Sequence, residues 1–320
     1  MTLTNTYSTP QTGDFVFQDF RLASGAALDE VRIHYRTLGE PRRDEQGVVR
    51  NAVLILHGTT GQGGNFLNEI FAGELFGDRF PRYGYRDMIA AQYRLVSEGL
   101  QINHLRLVMG TSMGGMHTWL WGQIYPDFMD ALLPLASLPT QISGRNRMWR
   151  KLLSDAIRSD LEWNNGEYQE QPRSLSFAAG LLFLMASNPL MRQQQAPTFS
   201  QADRVFEAAV AEMVTRLDAN DVLYAIESSW DYDPSPGLER IQAPLLAINF
   251  ADDLVNPPEL GILEREIQRV RRGKAIVMPL SEATVGHGTH TKAGVWKHHL
   301  VDFLRETAQH DYVRTTYGGK

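Results

Sequence analysis

The apolar run Leu105-Arg106-Leu107-Val108-Met109 breaks off into Gly110-Thr111-Ser112-Met113-Gly114, and a helix-like segment follows. Nothing else in the chain restricts its folding so tightly. An apolar run that ends in G-x-S-x-G reads as a strand turning sharply into a helix, with the serine held in a strained backbone at the turn. Gly110 and Gly114 are then needed because a Cβ at either position would clash. Such a turn pushes the Ser112 hydroxyl into the open. It also aims the first N–H groups of the helix, and the positive end of its dipole, at any oxyanion forming beside the serine. Met116 to Tyr125, closed by Pro126, reads as that helix.

The remaining periodicities supply the sheet that this turn requires. Phe15 to Leu22 and Asp29 to Thr37 alternate apolar with polar residues and read as two strands joined through Ala23-Ser24-Gly25. Ala52 to Leu56, Ala131 to Ser137, Pro244 to Phe250 and Lys274 to Pro279 read as further strands, Arg86 to Leu100 as a helix, and Thr291 to Thr307 as a closing helix. Strands alternating with helices around short apolar runs imply an α/β fold, with a mostly parallel central sheet and helices on both faces. Between Gln141 and Arg240 the pattern becomes helical, rich in Arg, Gln, Glu and Trp, without a strand candidate. This predicts a core domain from 1–140 and 241–320 with a helical cap inserted over 141–240. An exposed apolar face on the cap would point to a homodimer; the sequence alone leaves the oligomeric state open.

A hydrophobic content of 43% over 320 residues is ample for a core of this size. Lys plus Arg number 31 against 37 acidic residues, with no basic block, which argues against a nucleic-acid partner. The absence of cysteine excludes disulfides, thiolate metal centres and a cysteine nucleophile. The opening MTLTNTYSTPQTGDF has neither a basic start nor an apolar h-region, and no apolar run approaches bilayer length. The expectation is a soluble, cytoplasmic protein with no membrane partner.

A serine hydroxyl is a poor nucleophile until a base, oriented by a carboxylate, takes its proton. Downstream of Ser112, the strand ending at Phe250 runs into Ala251-Asp252-Asp253-Leu254-Val255-Asn256. Asp252 is the first choice for the acid, because Leu254 and Val255 follow at the D-x-φ-V spacing; its neighbour Asp253 is the competitor. After the last strand comes Val285-Gly286-His287-Gly288-Thr289-His290, where His287 is the expected base and His290 the substitute. The H-x-x-H pair lacks the carboxylate company of a metal site, so neither metal nor cofactor is expected. His57 reads as a brace for the turn after its strand. The Gly58-Thr59-Thr60-Gly61-Gln62-Gly63-Gly64 loop lacks the residues of a phosphate cradle; Thr59 is expected to give one oxyanion-hole N–H, paired with that of Met113. Met116, Trp119 and Trp121 sit at helical spacing and read as core.

These residues taken together resemble the homoserine O-acetyltransferase-like branch of the α/β-hydrolase superfamily. The likeness includes G-T-S-M-G-G-M-H-T-W, Tyr125-Pro126-Asp127, Arg86-Asp87-Met88, Arg145-Asn146 through Trp163 and Tyr168, Arg216 to Asp221, and Trp230 to Asp233. It spans most of the chain. In that family a serine is acylated and the acyl group passes to an amino-acid hydroxyl, or to water in the hydrolases. Two departures bear on this. The Gly/Ser-rich segment of the acetyltransferases, with the strand preceding it, is missing, which suggests that the chain skips an internal segment near Gly77 and Asp78. Loss of an interior strand would leave unpaired backbone in the sheet. The second departure is Gly286-His287-Gly288, where acetyltransferases resemble G-H-D. The resemblance, with these departures, implies a serine acyl hydrolase of carboxylic esters or thioesters. The alternatives are an O-acyltransferase moving acetyl from acetyl-CoA to homoserine or a similar hydroxyl, and a non-enzymatic ligand-binding member of the fold.

Overall fold

Phe15 and Phe17 alternate with polar neighbours along β1 (Gln11–Arg21), which pairs antiparallel with β2 (Ala27–Thr37) so that Phe17 faces Val31 and Phe15 faces Ile33. In the computed structural model, which describes residues 10–59 and 82–317, this hairpin forms a sheet of its own. Phe17, Phe20 and Leu22 pack against Ala90 and Ala91 of α1 (Tyr85–Arg94). Both strands run longer than their alternation predicts. The predicted Arg86 to Leu100 helix is α1 followed by a π-turn over Leu95–Gly99, an irregularity that apolar spacing cannot reveal.

The central sheet holds β3 (Val53–Leu56), β4 (Leu107–Thr111), β5 (Leu132–Leu135), β6 (Leu245–Phe250) and β7 (Gly273–Met278), in that order and all parallel. Every residue of β4, β5 and β6 is buried, as strands covered on both faces must be. Side chains alternate between two apolar layers. Val108, Leu132, Leu245 and Ala247 face α1 and α2 (Met113–Ile124), while Leu107, Leu133, Leu246 and Ile248 face Trp296 and Phe303 of α9 (Ala293–Tyr317). Met116, Trp119 and Trp121 are core, the two tryptophans wholly enclosed.

Helix boundaries differ from expectation at two places. Helix α2 begins at Met113, directly after Ser112, one turn before the predicted Met116, because Met113-Gly114-Gly115 already hold helical backbone at the turn. Thr291 and Lys292 lie in and at the end of a 3-10 turn, and α9 starts at Ala293 and runs on to Tyr317.

Between β5 and β6, among the described residues, there are only helical elements and turns: α3 (Gly144–Arg158), α4 (Ser174–Ala186), α5 (Pro189–Gln195), α6 (Phe199–Val214), α7 (Ala219–Glu227) and 3-10 turns. Trp149, Leu153, Leu175, Ala178, Val222 and Ile226 build a separate apolar cluster there, which also takes in Val255 from the loop after β6. A short α8 (Ile262–Glu266) precedes β7. Among the described residues no single helix is long and apolar enough to cross a membrane; α4 and α5 together are apolar enough but are bent by 108°.

The described sheet has β3 at its edge, with Val53 and Ile55 46% and 45% exposed. The expected discontinuity near Gly77 and Asp78 lies outside the described residues.

Candidate active site

Ser112 sits between β4 and α2 at φ 54°, ψ −112°, a strained conformation for a residue with a side chain. The flanking glycines explain how the turn closes. A Cβ on Gly110 would lie 2.1 Å from the Gly114 carbonyl oxygen, and one on Gly114 would lie 2.0 Å from the Leu56 oxygen and 2.7 Å from that of His57. The nucleophile helix is thus pressed against the end of β3, and the loop leaving β3 runs past Ser112: a Cβ on Gly58 would stand 3.4 Å from the Ser112 Cβ. Half-buried Thr59 follows on that loop. No side chain caps α2, so its leading N–H groups, Met113 first, have no side-chain partner at the turn.

His287 Nε2 lies 2.8 Å from Ser112 Oγ, and His287 Nδ1 lies 2.8 Å from Asp253 Oδ2. An ionised carboxylate can only accept, so Nδ1 carries the ring proton and donates to Asp253 while Nε2 accepts from the serine hydroxyl. Asp253 is 1% exposed. Burial alone would raise its pKa, but the His287 imidazole and the N–H groups of Asn256 and Val255 outweigh burial and hold the carboxyl below the usual carboxylate range. Those two N–H groups donate to Oδ1 at 3.0 and 2.7 Å, and Asn256 Nδ2 ties the loop to the Ala136 carbonyl at 2.9 Å.

The geometry therefore corrects the first choice of acid. Asp252 does not reach His287; its Oδ2 accepts from the Gly286 N–H at 2.9 Å and from Asn188 Nδ2. The chain turns as it leaves β6, with Asp253 N donating to the Phe250 carbonyl, so consecutive carboxylates point to different sides. The D-x-φ-V spacing matches Asp252, yet spacing along the chain does not say which of two adjacent carboxylates turns toward the base.

His290 does not bond to Ser112. Its ring packs edge-on to that of His287, centroids 5.2 Å apart at 75°, and burial, with His287 adding to it, pulls its pKa down to about 3. His57 donates from Nδ1 to the Gly58 carbonyl at 2.9 Å, the bracing expected of it. Sequence reasoning passed over His117, which is buried on α2 beside Gln92 and stacks edge-on to Tyr85 at 4.6 Å; burial pulls it down to about 3. It also passed over the contacts that dock the 141–240 segment on the site. Arg145 donates to the Leu254 carbonyl, Asn146 Nδ2 to that of Val255 at 3.2 Å, and Asn188 to Asp252. The Asn188-Pro189 pair announces a helix start, but nothing in it names a partner 64 residues away.

No known family profile matches the chain. A probable acyltransferase of Methanothermobacter thermautotrophicus is 27% identical over 320 aligned residues, covering 91% of this chain and 96% of the relative. A homoserine O-acetyltransferase of Chlorobaculum parvum is 26% identical over 289 residues, covering 75% and 78%. Among solved structures, an acetylester hydrolase of Corynebacterium glutamicum superposes with a TM-score of 0.76 at 16% identity, covering 93% of this chain and 95% of that one.

Proposed function

We propose that this enzyme of the α/β-hydrolase superfamily, whose homologues are homoserine O-acetyltransferases and acyltransferases, is a serine acyl hydrolase of carboxylic esters or thioesters working through an acyl-enzyme on Ser112. The single observation that carries the reading is the unbroken hydrogen-bond relay Ser112–His287–Asp253. In the proposed cycle His287 Nε2 takes the Ser112 proton as Oγ attacks the substrate carbonyl, and Asp253 stabilises the resulting imidazolium. The N–H groups of Thr59 and Met113 receive the oxyanion. His287 then passes its proton to the departing alkoxide or thiolate, which leaves as alcohol or thiol. Water, deprotonated by the same imidazole, attacks the acyl-Ser112 carbonyl and releases the acid, and Ser112 recovers its proton. The 141–240 segment serves as the cap, and its hold on the loop carrying Asp253 supports that assignment.

A second reading keeps the first half of this cycle and replaces water with an acceptor hydroxyl, so that acetyl passes from acetyl-CoA to homoserine or a similar alcohol. The names of the relatives favour it. Gly288, where acetyltransferases resemble G-H-D, favours water. Exposed apolar residues on the cap, including Leu161 at 95% and Phe199 at 85%, support a homodimer, which light scattering would test.

The deciding experiment incubates the protein with acetyl-CoA, with and without homoserine, and follows free thiol and O-acetylhomoserine together. Hydrolysis gives thiol without acceptor dependence, or turnover only on an ester panel. Homoserine-dependent thiol release with O-acetylhomoserine formed would establish the transferase. Ser112→Ala should abolish either activity, and a variant at wild-type rate would refute the nucleophile.

A further inference from the structure

Apart from the triad bonds, the loop that carries His287 is held from two sides. On its inner side Thr289, fully buried, accepts the Val285 N–H at 2.8 Å and donates to the Gly286 carbonyl at 2.7 Å, closing 285–289 into a rigid turn. On its outer side the loop presses on the cap. Gly286 holds φ 73°, and a Cβ there would stand 2.8 Å from the Ser187 carbonyl carbon and oxygen and 3.0 Å from the Asn188 nitrogen. At that contact a single oxygen joins three chain segments: Asp252 Oδ2, on the loop after β6, accepts from the Gly286 N–H at 2.9 Å and from the Asn188 side chain. Asn188 is 2% exposed, and its own oxygen caps α5 by accepting from Leu190 N at 2.7 Å and Met191 N at 3.1 Å. The neighbouring residue, Asp253, meanwhile holds the imidazole itself.

We infer that Asp252 is a positioning residue that locks the His287 loop to the cap, so that the imidazole stays aimed at Ser112 only while 187–188 are seated against Gly286. The adjacent carboxylates divide the work. Asp253 fixes the tautomer and ring of His287, and Asp252 fixes the backbone from which that ring projects. The second task matters because the Nε2 to Oγ distance of 2.8 Å has little slack, and a displacement of about 1 Å at a reacting group can cost on the order of a hundredfold in rate. Since both bonds go to one oxygen, an amide in place of the carboxylate still offers that oxygen, and charge at this position is dispensable.

The inference rests on the proposed Ser112–His287–Asp253 relay, and the test separates the two. Turnover of 4-nitrophenyl acetate is measured beside the rate at which a sulfonyl fluoride caps Ser112, a reaction that forms the Oγ–S bond, expels fluoride and moves the hydroxyl proton to His287. Asp252→Ala should lower kcat and the capping rate together by roughly ten- to hundredfold with KM little changed, and amide exchange in 285–289 should quicken. Asp252→Asn should stay within about threefold of wild type, and Asn188→Ser, which keeps the cap of α5 but loses the donor to Asp252, should fall between. Asp252→Ala at wild-type kcat and capping rate overturns the inference. So does Asp252→Asn as impaired as Asp252→Ala, which would mean that the negative charge is what acts. If Asp252→Ala does not fold, Asn188→Ser alone decides, and a wild-type capping rate in that variant refutes the coupling. A capping-resistant, inactive Ser112→Ala beside an unimpaired Asp252→Ala sinks this inference alone, whereas an active Ser112→Ala sinks the relay.

Discussion

Gly114→Ala is the sharpest test of the turn on which the site is built. The added methyl would lie 2.0 Å from the Leu56 carbonyl oxygen, 2.4 Å from its carbon and 2.7 Å from the His57 oxygen, and all three are backbone atoms. Ordinary contact begins near 3.4 Å, so the end of β3 and the first turn of α2 must part by about 1.4 Å, a shift that no rotamer change supplies. Overpacking of this kind costs on the order of 1–3 kcal/mol or more, which for a chain of this size lowers Tm by several degrees. The same parting moves Ser112 relative to both His287 and the Gly58–Thr59 backbone, so activity should fall by roughly a hundredfold or more. The assay pairs kcat/KM on 4-nitrophenyl acetate with a thermal melt followed by circular dichroism. Gly294→Ala is the control, because nothing lies within 4 Å of its Cβ in α9, and there helix propensity should leave stability unchanged or raise it by up to about 1 kcal/mol. A Gly114→Ala enzyme within twofold of wild type, melting alongside it, would refute the steric account of the turn.

Asp253→Asn preserves shape but removes the charge that orients His287, and kcat should drop on the order of a thousand- to ten-thousandfold, against the small loss expected for the amide at 252; a tenfold effect or less at 253 would contradict the relay. Because the Asp253 carboxyl titrates below its unfolded value, its contribution to stability is present above about pH 4 and is lost as pH falls through the lower folded value. The Tm gap between wild type and Asp253→Asn should therefore narrow below pH 4, and a gap that widens there would reverse the assignment. His117, held neutral down to about pH 3, also costs stability on acidification, but in a higher window: the unfolded chain takes up a proton below about pH 6.5 that the native state refuses, so stability is full above that value and falls by about 1.4 kcal/mol per pH unit beneath it. His117→Gln should flatten the slope of unfolding free energy between pH 6.5 and 4, and an unchanged slope would show that the ring is protonated in the native protein.

What could be read from the chain before any coordinates is what short-range physics dictates. A buried strand shows as an uninterrupted apolar run, as in β4, β5 and β6, because both its faces are covered. The turn at Ser112 shows as a local G-x-S-x-G pattern, although only the Gly110 clash is with the turn's own backbone and that of Gly114 is with the end of β3. Period-two alternation located the hairpin, although not its full length. Strand ends, the π-turn after α1 and the early start of α2 depend on which backbone groups find partners across the sheet, and residue spacing is silent about those.

The amino-acid sequence by itself determined the parallel sheet, the serine turn between two glycines, and a histidine in the loop after the last strand, since each shows as a local pattern of residue types along the chain. Only the tertiary structure decided that Asp253 faces His287 while Asp252 faces Gly286 and Asn188, that His290 stands beside the base without touching Ser112, and that His117 is sealed under Tyr85. Side-chain direction at a chain reversal depends on which distant groups meet it. The partners here lie 34, 64 and 175 residues apart, separations over which folding, and no local preference, brings one atom to another.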